Sequence, residues 1–306
     1  MESFPKSMEN LETNFLNNGF VDLGSALDRD HCKNLLEDVY KTRNFGHDLF
    51  IDQEQHKKNP RWTKTNPGPG LNLTEKFDLD FIEKSEAFQN SMEKVLGPGY
   101  NIMLKKFVVG VPTDWVPNWV YEETKDQMTS NLGPYIKPIY HDMTYFRGID
   151  FHQDIIDHKS RISDFITLYI YLDDVQMGMS PLVVIPGSHV YGATTFPHNV
   201  KVDWNKGECK YSNTNGNSSQ LNYKFLTGNS GQIYFWSALT LHGTQSQTSE
   251  KPRISLRYLI ERSKDEGKFL IDKFNDNIEG DLSLENTRHD LNKSGKSIKY
   301  GKILKS

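Results

Sequence analysis

The segment Asp164-Phe165-Ile166-Thr167-Leu168-Tyr169-Ile170-Tyr171-Leu172 alternates without a break: Phe165, Thr167, Tyr169 and Tyr171 share one face, and Ile166, Leu168, Ile170 and Leu172 the other. Successive side chains of an extended chain point to opposite faces, so this pattern reads as a strand with two different environments. Further strands are expected downstream at residues 182–185, which end in the turn Pro186-Gly187-Ser188-His189, and at 231–238 and 252–261. Upstream, residues 19–23 alternate, residues 101–112 are apolar and β-prone around Lys105 and Lys106, and residues 149–155 form another strand. The N-terminal half also carries helical spacing. Ser25 or Asp28 can cap a helix through about Lys41, with Cys32, Leu35, Leu36, Val39 and Tyr40 on one face. Residues 80–96 repeat the pattern with Phe81, Ile82, Phe88, Met92, Val95 and Leu96, and Gly97-Pro98-Gly99 stops it. Short strands after a helical first half predict a mainly β protein with flanking helices, a double-sheet jelly roll.

Residues 1–263 read as a single domain, and the charged, polar residues 264–306 as a C-terminal appendage. Residues 113–150 have no clear period but hold Trp115, Trp119, Tyr121, Tyr135, Tyr140, Tyr145 and Phe146. They are either a lid-like insertion or a loop whose rings pack on the sheet. The Asn/Ser/Gly/Lys-rich residues 200–230 read as a long, mobile surface insertion.

Of the 306 residues, 36% are hydrophobic and 12% aromatic, as in a folded globular chain. The net charge of −4, with both signs interspersed, offers no basic footprint for nucleic acid. Two distant cysteines, Cys32 and Cys209, exclude a disulfide scaffold and a Cys-rich zinc module, and suit a reducing compartment. No signal-peptide pattern opens the sequence and no apolar run reaches the ~18 residues of a membrane span. The expectation is a cytoplasmic protein acting on a small molecule, without nucleic-acid or membrane partners; oligomeric state is not legible.

Chemistry concentrates at Phe151-His152-Gln153-Asp154, at His242, and at Arg253, eleven residues after His242. On a strand, residues two apart project together, so His152 and Asp154 can offer an imidazole and a carboxylate to one ion. A second imidazole from a facing strand completes two histidines and one carboxylate, leaving positions open as a non-haem Fe(II) centre requires. Of the ten histidines only His152 has an acid two places on; His47, His141 and His289 are followed directly by Asp, which aims the pair oppositely on a strand. His242 taken alone reads equally as a histidine in a strand-to-strand turn. Arg253 shares its strand face with Ser255 and Arg257, and an arginine inside a barrel needs an anion: a structural acid, or the far carboxylate of 2-oxoglutarate. Arg257 faces the same choice between a substrate carboxylate and a structural acid.

From Phe15 to about Ile260 the chain resembles the phytanoyl-CoA dioxygenase family of Fe(II)/2-oxoglutarate-dependent oxygenases, which includes ectoine hydroxylase. The resemblance rests on residues 14–21 (NFLNNGFV), on Phe151-His152-Gln153-Asp154, on residues 180–189 (SPLVVIPGSH), and on His242-Gly243-Thr244 with Arg253. It implies a double-stranded β-helix with His152, Asp154 and His242 as iron ligands and Arg253 as the 2-oxoglutarate anchor. By the same mapping Tyr169 falls where members place an aromatic lining the cosubstrate, Thr244 where some use a hydroxyl, and His189 is structural; Ser255, on the strand face of Arg253, adds a second hydroxyl for the cosubstrate. The implied reaction uses Fe(II), 2-oxoglutarate and O2 to hydroxylate a C–H bond, releasing succinate and CO2. Halogenating relatives replace the carboxylate ligand by a small residue, whereas Asp154 is retained. Ser180 departs from the usual glycine before Pro-Leu. A jelly-roll metal hydrolase or isomerase, and a non-catalytic binding protein, are the alternatives.

Overall fold

The computed structural model describes residues 10–291, apart from 59–65, 69, 128, 214 and 215. The turn expected at Asn59-Pro60 and residues 292–306 of the C-terminal segment lie outside the described residues. Among the described residues thirteen strands are formed: β1 (Phe20–Ser25), β2 (Asn101–Gly110), β3 (Thr129–Asn131), β4 (Thr144–His152), β5 (Phe165–Tyr171), β6 (Leu182–Val184), β7 (Asn199–Asp203), β8 (Glu208–Ser212), β9 (Ser218–Asn222), β10 (Lys224–Leu226), β11 (Gln232–Ser237), β12 (His242–Thr244) and β13 (Arg253–Glu261). Ten of them make one curled sheet in the order β1-β11-β5-β13-β2-β4-β12-β6-β10, with β3 beside β4. Pairing is antiparallel throughout except between β2 and β4. The architecture is a jelly roll, as expected.

The alternation in β5 sorts the molecule into layers. Ile166, Leu168 and Ile170 join Ile233, Phe235, Ile254, Leu256, Tyr258 and Ile260 in a core packed under the helices. The intervening Tyr169 and Tyr171 join Phe20, Tyr234 and Trp236 on the inner face. Helix Arg29–Lys41 starts at Asp28, whose carboxylate accepts the His31 N–H, and it buries Cys32, Leu35, Leu36 and Val39 against the outer face. Tyr40, expected on that face, is exposed. The helix expected over residues 80–96 is two, Asp80–Glu83 and Glu86–Leu96, because the Ser85 side chain caps the second by accepting the Phe88 N–H.

Other expectations are refined. Residues 200–230 hold an ordered three-stranded sheet, β7-β8-β9, rather than a mobile insertion. Its alternation is diluted by polar residues, but Cys209 and Tyr211 are buried against Phe151, Val183 and Ile185. Of the aromatic segment, Tyr135 and Tyr145 belong to the helix-side core with Trp115, Trp119 and Tyr140 packed against it, whereas Phe146 packs on the inner face. The described part of the C-terminal segment is fastened to the body: helix Leu270–Asp276 buries Leu270, Ile271 and Phe274, and Leu282 and Leu284 pack beside Ile155 and Phe165.

Candidate metal and anion site

The residues that carry the site are held by backbone register. His152 ends β4 and His242 opens β12, and the two are direct cross-strand partners, with ring centroids 4.2 Å apart. Asp154 is not on the strand, as the spacing had suggested, but opens a 3-10 turn, Asp154–Asp157. Gln153 between them stays extended (φ −101°, ψ 139°), so the side chains of His152 and Asp154 still project together. The fully buried Gln153 side chain fixes this corner by donating to the carbonyls of Gly192 and Leu239 and accepting the Thr194 N–H. His152, Asp154 and His242 thus offer one ligand atom each, all within 4.8 Å of one another, the one such group among the described residues.

Both imidazoles are oriented alike. His152 Nδ1 lies 3.0 Å from the Asp150 carbonyl and His242 Nδ1 3.0 Å from the Thr240 carbonyl. A carbonyl only accepts, so each Nδ1 carries the proton and each Nε2 keeps a free lone pair, the form that binds a metal. His242 Nε2 stands 3.6 Å from Asp154 Oδ2. Burial lowers the pKa of His152, and burial together with His152 lowers that of His242 to about 3, so both rings are neutral at physiological pH. Burial alone pushes Asp154 up, but the Arg257 guanidinium, the two imidazoles and the Thr167 hydroxyl outweigh it and hold the carboxyl well below the usual range. Arg257 Nη2 donates to Oδ1 at 2.7 Å, while Thr167 Oγ1 and Trp236 Nε1 donate to Oδ2 at 2.6 and 3.1 Å. Asp154 is therefore the acid that Arg257 meets.

A second group lies further along the inner face. Arg253 is 3% exposed; Nη1 donates to the Ser180 carbonyl, and Nη2 to the Tyr169 hydroxyl at 3.4 Å. Among the described residues its Nε and the Ser255 hydroxyl are buried without a hydrogen-bond partner. Thr244, also buried, lies two residues along β12 from His242. Tyr169 joins the two groups, with its ring 5.8 Å from the Arg253 guanidinium and 6.1 Å from Trp236, which in turn lies 4.7 Å from His242. Ser180 explains its own departure from glycine: its φ of 52° is left-handed, a conformation for which glycine is the default residue. The Ser180 hydroxyl compensates by donating to the Gln245 carbonyl at 2.5 Å, and the turn presents its own carbonyl to Arg253.

The Pro-Gly-Ser-His turn braces the site from behind. Gly187 N–H donates to Asn18 O at 2.9 Å, and Ser188 Oγ accepts the Leu241 N–H at 2.8 Å. His189 Nε2 donates to Leu16 O at 3.2 Å, and its ring stacks on Phe274 at 4.7 Å. His189 is thus occupied with the helices Leu11–Asn18 and Leu270–Asp276 and lies outside the candidate metal group. Sequence reasoning missed Thr167, Trp236 and Gln153 as supports; only the shared face of β5 and β11 with the histidines would have pointed to the first two.

Fold and site together define a jelly roll whose inner face gathers two metal-ready imidazoles, a carboxylate and a buried arginine. The chain belongs to the phytanoyl-CoA dioxygenase (PhyH) family, whose profile matches residues 15–255. No curated protein matches it by sequence. Among solved structures it is similar to EvdO2 from Micromonospora carbonacea var. aurantiaca, at 13% identity and TM-score 0.51 over 87% of this chain and 96% of that one. It is also similar to the epimerase SnoN in complex with Fe3+, alpha ketoglutarate and nogalamycin RO, at 13% identity and TM-score 0.50 over 98% and 96%. At such identity these likenesses speak for the fold. Among the described residues no helix is long and apolar enough to cross a membrane.

Proposed function

We propose that the protein is an Fe(II)- and 2-oxoglutarate-dependent dioxygenase that hydroxylates a C–H bond of a small molecule. The observation that carries this reading is the donor set itself: two Nε2 lone pairs and a carboxylate converge beside a buried Arg253 Nε and a Ser255 hydroxyl that lack partners among the described residues. His152, Asp154 and His242 would hold the iron on one face, leaving other coordination positions free. Arg253 Nε and Ser255 Oγ are unspent donors suited to a carboxylate, and an unpaired buried donor costs free energy until one arrives. Arg253, Ser255, Thr244 and Tyr169 would grip the far carboxylate of 2-oxoglutarate. When bound, iron with this cosubstrate supplies O2 activation coupled to decarboxylation, with succinate and CO2 as coproducts.

The chain's own contribution is positioning and exclusion. The carbonyls of Asp150 and Thr240 fix the tautomers of both imidazoles. Arg257, Thr167 and Trp236 hold Asp154 ionised and in place, and Tyr169, Tyr171 and Trp236 line the inner face with rings that displace water. A retained carboxylate leaves no vacancy for a halide, which favours hydroxylation over halogenation. The test is anaerobic titration of Fe(II)-loaded protein with 2-oxoglutarate, watching for the weak visible band of a chelated keto acid. The band should form in the wild type and vanish in His152→Ala; its absence from folded, iron-loaded wild type sinks the reading in favour of a hydrolase, an isomerase or a binding role.

A further inference from the structure

Two consecutive lysines on β2 are treated differently by the fold. Lys105 faces the helices, where Glu83 waits for its ammonium at 2.6 Å. Lys106 faces inward as the cross-strand partner of Arg257 and is 3% exposed. The only contact of its ammonium among the described residues is a hydrogen bond to the side-chain carbonyl of Asn66, a neutral acceptor. No carboxylate reaches ion-pair distance of it there. Arg257 beside it is already engaged by Asp154. A buried ammonium without a counter-ion is costly, and burial followed by the Arg257 charge brings Lys106 down to about 7. The pair nevertheless lies close to solvent: Asn66 is exposed, and the Arg257 side chain is 22% exposed.

We propose that the recess between Lys106 and Arg257 binds a carboxylate of the substrate and so makes this enzyme selective for acids. The inference rests on the oxygenase reading and names its substrate class. With Lys106 protonated against an incoming anion, two cations and one internal carboxylate leave about one positive charge, which matches a monoanion better than a phosphate. The Lys106–Arg257 pair is separate from the group that would take the far carboxylate of the cosubstrate, since Arg253 lies four residues from Arg257 along β13, roughly 13 Å of extended chain. Arg257 touches Asp154 directly, so an acid held there lies beside the metal-binding group.

The test uses full-length protein loaded with Zn(II) and 2-oxoglutarate, and the same protein without metal, titrated by ligand-observed NMR. The probes are benzoate, phenylacetate and hexanoate, each against its primary amide. At least one acid should bind roughly tenfold more tightly than its amide. Lys106→Met should abolish that preference while leaving 2-oxoglutarate affinity within about threefold, and Lys106→Arg should restore it. Equal binding of every acid and amide, or an unchanged preference in Lys106→Met, overturns the proposal. Loss of 2-oxoglutarate binding in Lys106→Met also overturns it, by assigning the lysine to the cosubstrate. An acid preference in a protein that never forms the keto-acid band with Fe(II) keeps the recess and removes the oxygenase reading instead.

Discussion

The two faces of one strand pair, β5 and β13, are built by opposite rules. Outward, Ile166, Leu168, Ile170, Ile254, Leu256 and Ile260 are all apolar and all buried beneath helices. Inward, beside Phe165 and Leu259, stand Thr167, Tyr169, Tyr171, Arg253, Ser255 and Arg257, and Thr167, Tyr169, Arg253 and Arg257 hydrogen-bond within the site. The outer face contributes stability through burial of apolar area; the inner face gives some of that up to hold charge in place. Substitutions on the two faces should therefore fail in different ways.

The sharpest break is Asp154→Ala. It should abolish 2-oxoglutarate-coupled turnover while far-UV circular dichroism stays native; full hydroxylase activity in that variant would dismiss the metal assignment. Leu168→Ala on the opposite face should do the reverse, costing roughly 2–5 kcal/mol in denaturant unfolding. Turnover per folded molecule should hardly change.

Lys106 predicts a pH dependence of stability in the ligand-free protein. Its folded pKa is near 7 and its ordinary value 10.5, so between those pH values the unfolded chain binds more protons and stability rises with pH. The gain should be roughly 2 kcal/mol from pH 7 to pH 9. Lys106→Met should flatten that rise relative to wild type, and parallel pH profiles for the two proteins would refute a depressed lysine. The smallest effect expected is from Arg253→Ala, which should raise the apparent KM for 2-oxoglutarate about tenfold. An unchanged KM would place the cosubstrate's anchor elsewhere on the inner face.

Much of this division was legible in the sequence. The unbroken alternation of residues 164–172, and that of 252–261, named the face of every side chain, because a period of two leaves no freedom once one face is buried. The spacing from His152 to Asp154 was also readable, although it survives through the extended Gln153 rather than through a strand. What could not be read was pairing across the chain. That His152 stands opposite His242, or that Lys106 stands opposite Arg257, depends on register between strands distant in sequence. Residues 200–230 were misjudged because Cys209 and Tyr211 are too few to raise an alternating signal above the surrounding polar residues. The segment 264–291 hid its three core residues, Leu270, Ile271 and Phe274, in a charged background for the same reason.

The direct pairing of His152 with His242 has a consequence for synthesis in the cell. The two residues are ninety apart, so a nascent chain has no second imidazole to offer until the ribosome has passed residue 242. A one-residue slip of β12 against β4 would turn its side chain to the far face, so an imidazole pair forms only in the native register. Premature termination upstream of β12 therefore yields fragments with His152 and Asp154 but without the third donor. A metal held by all three donors would be captured only by chains that have closed the sheet in the native register.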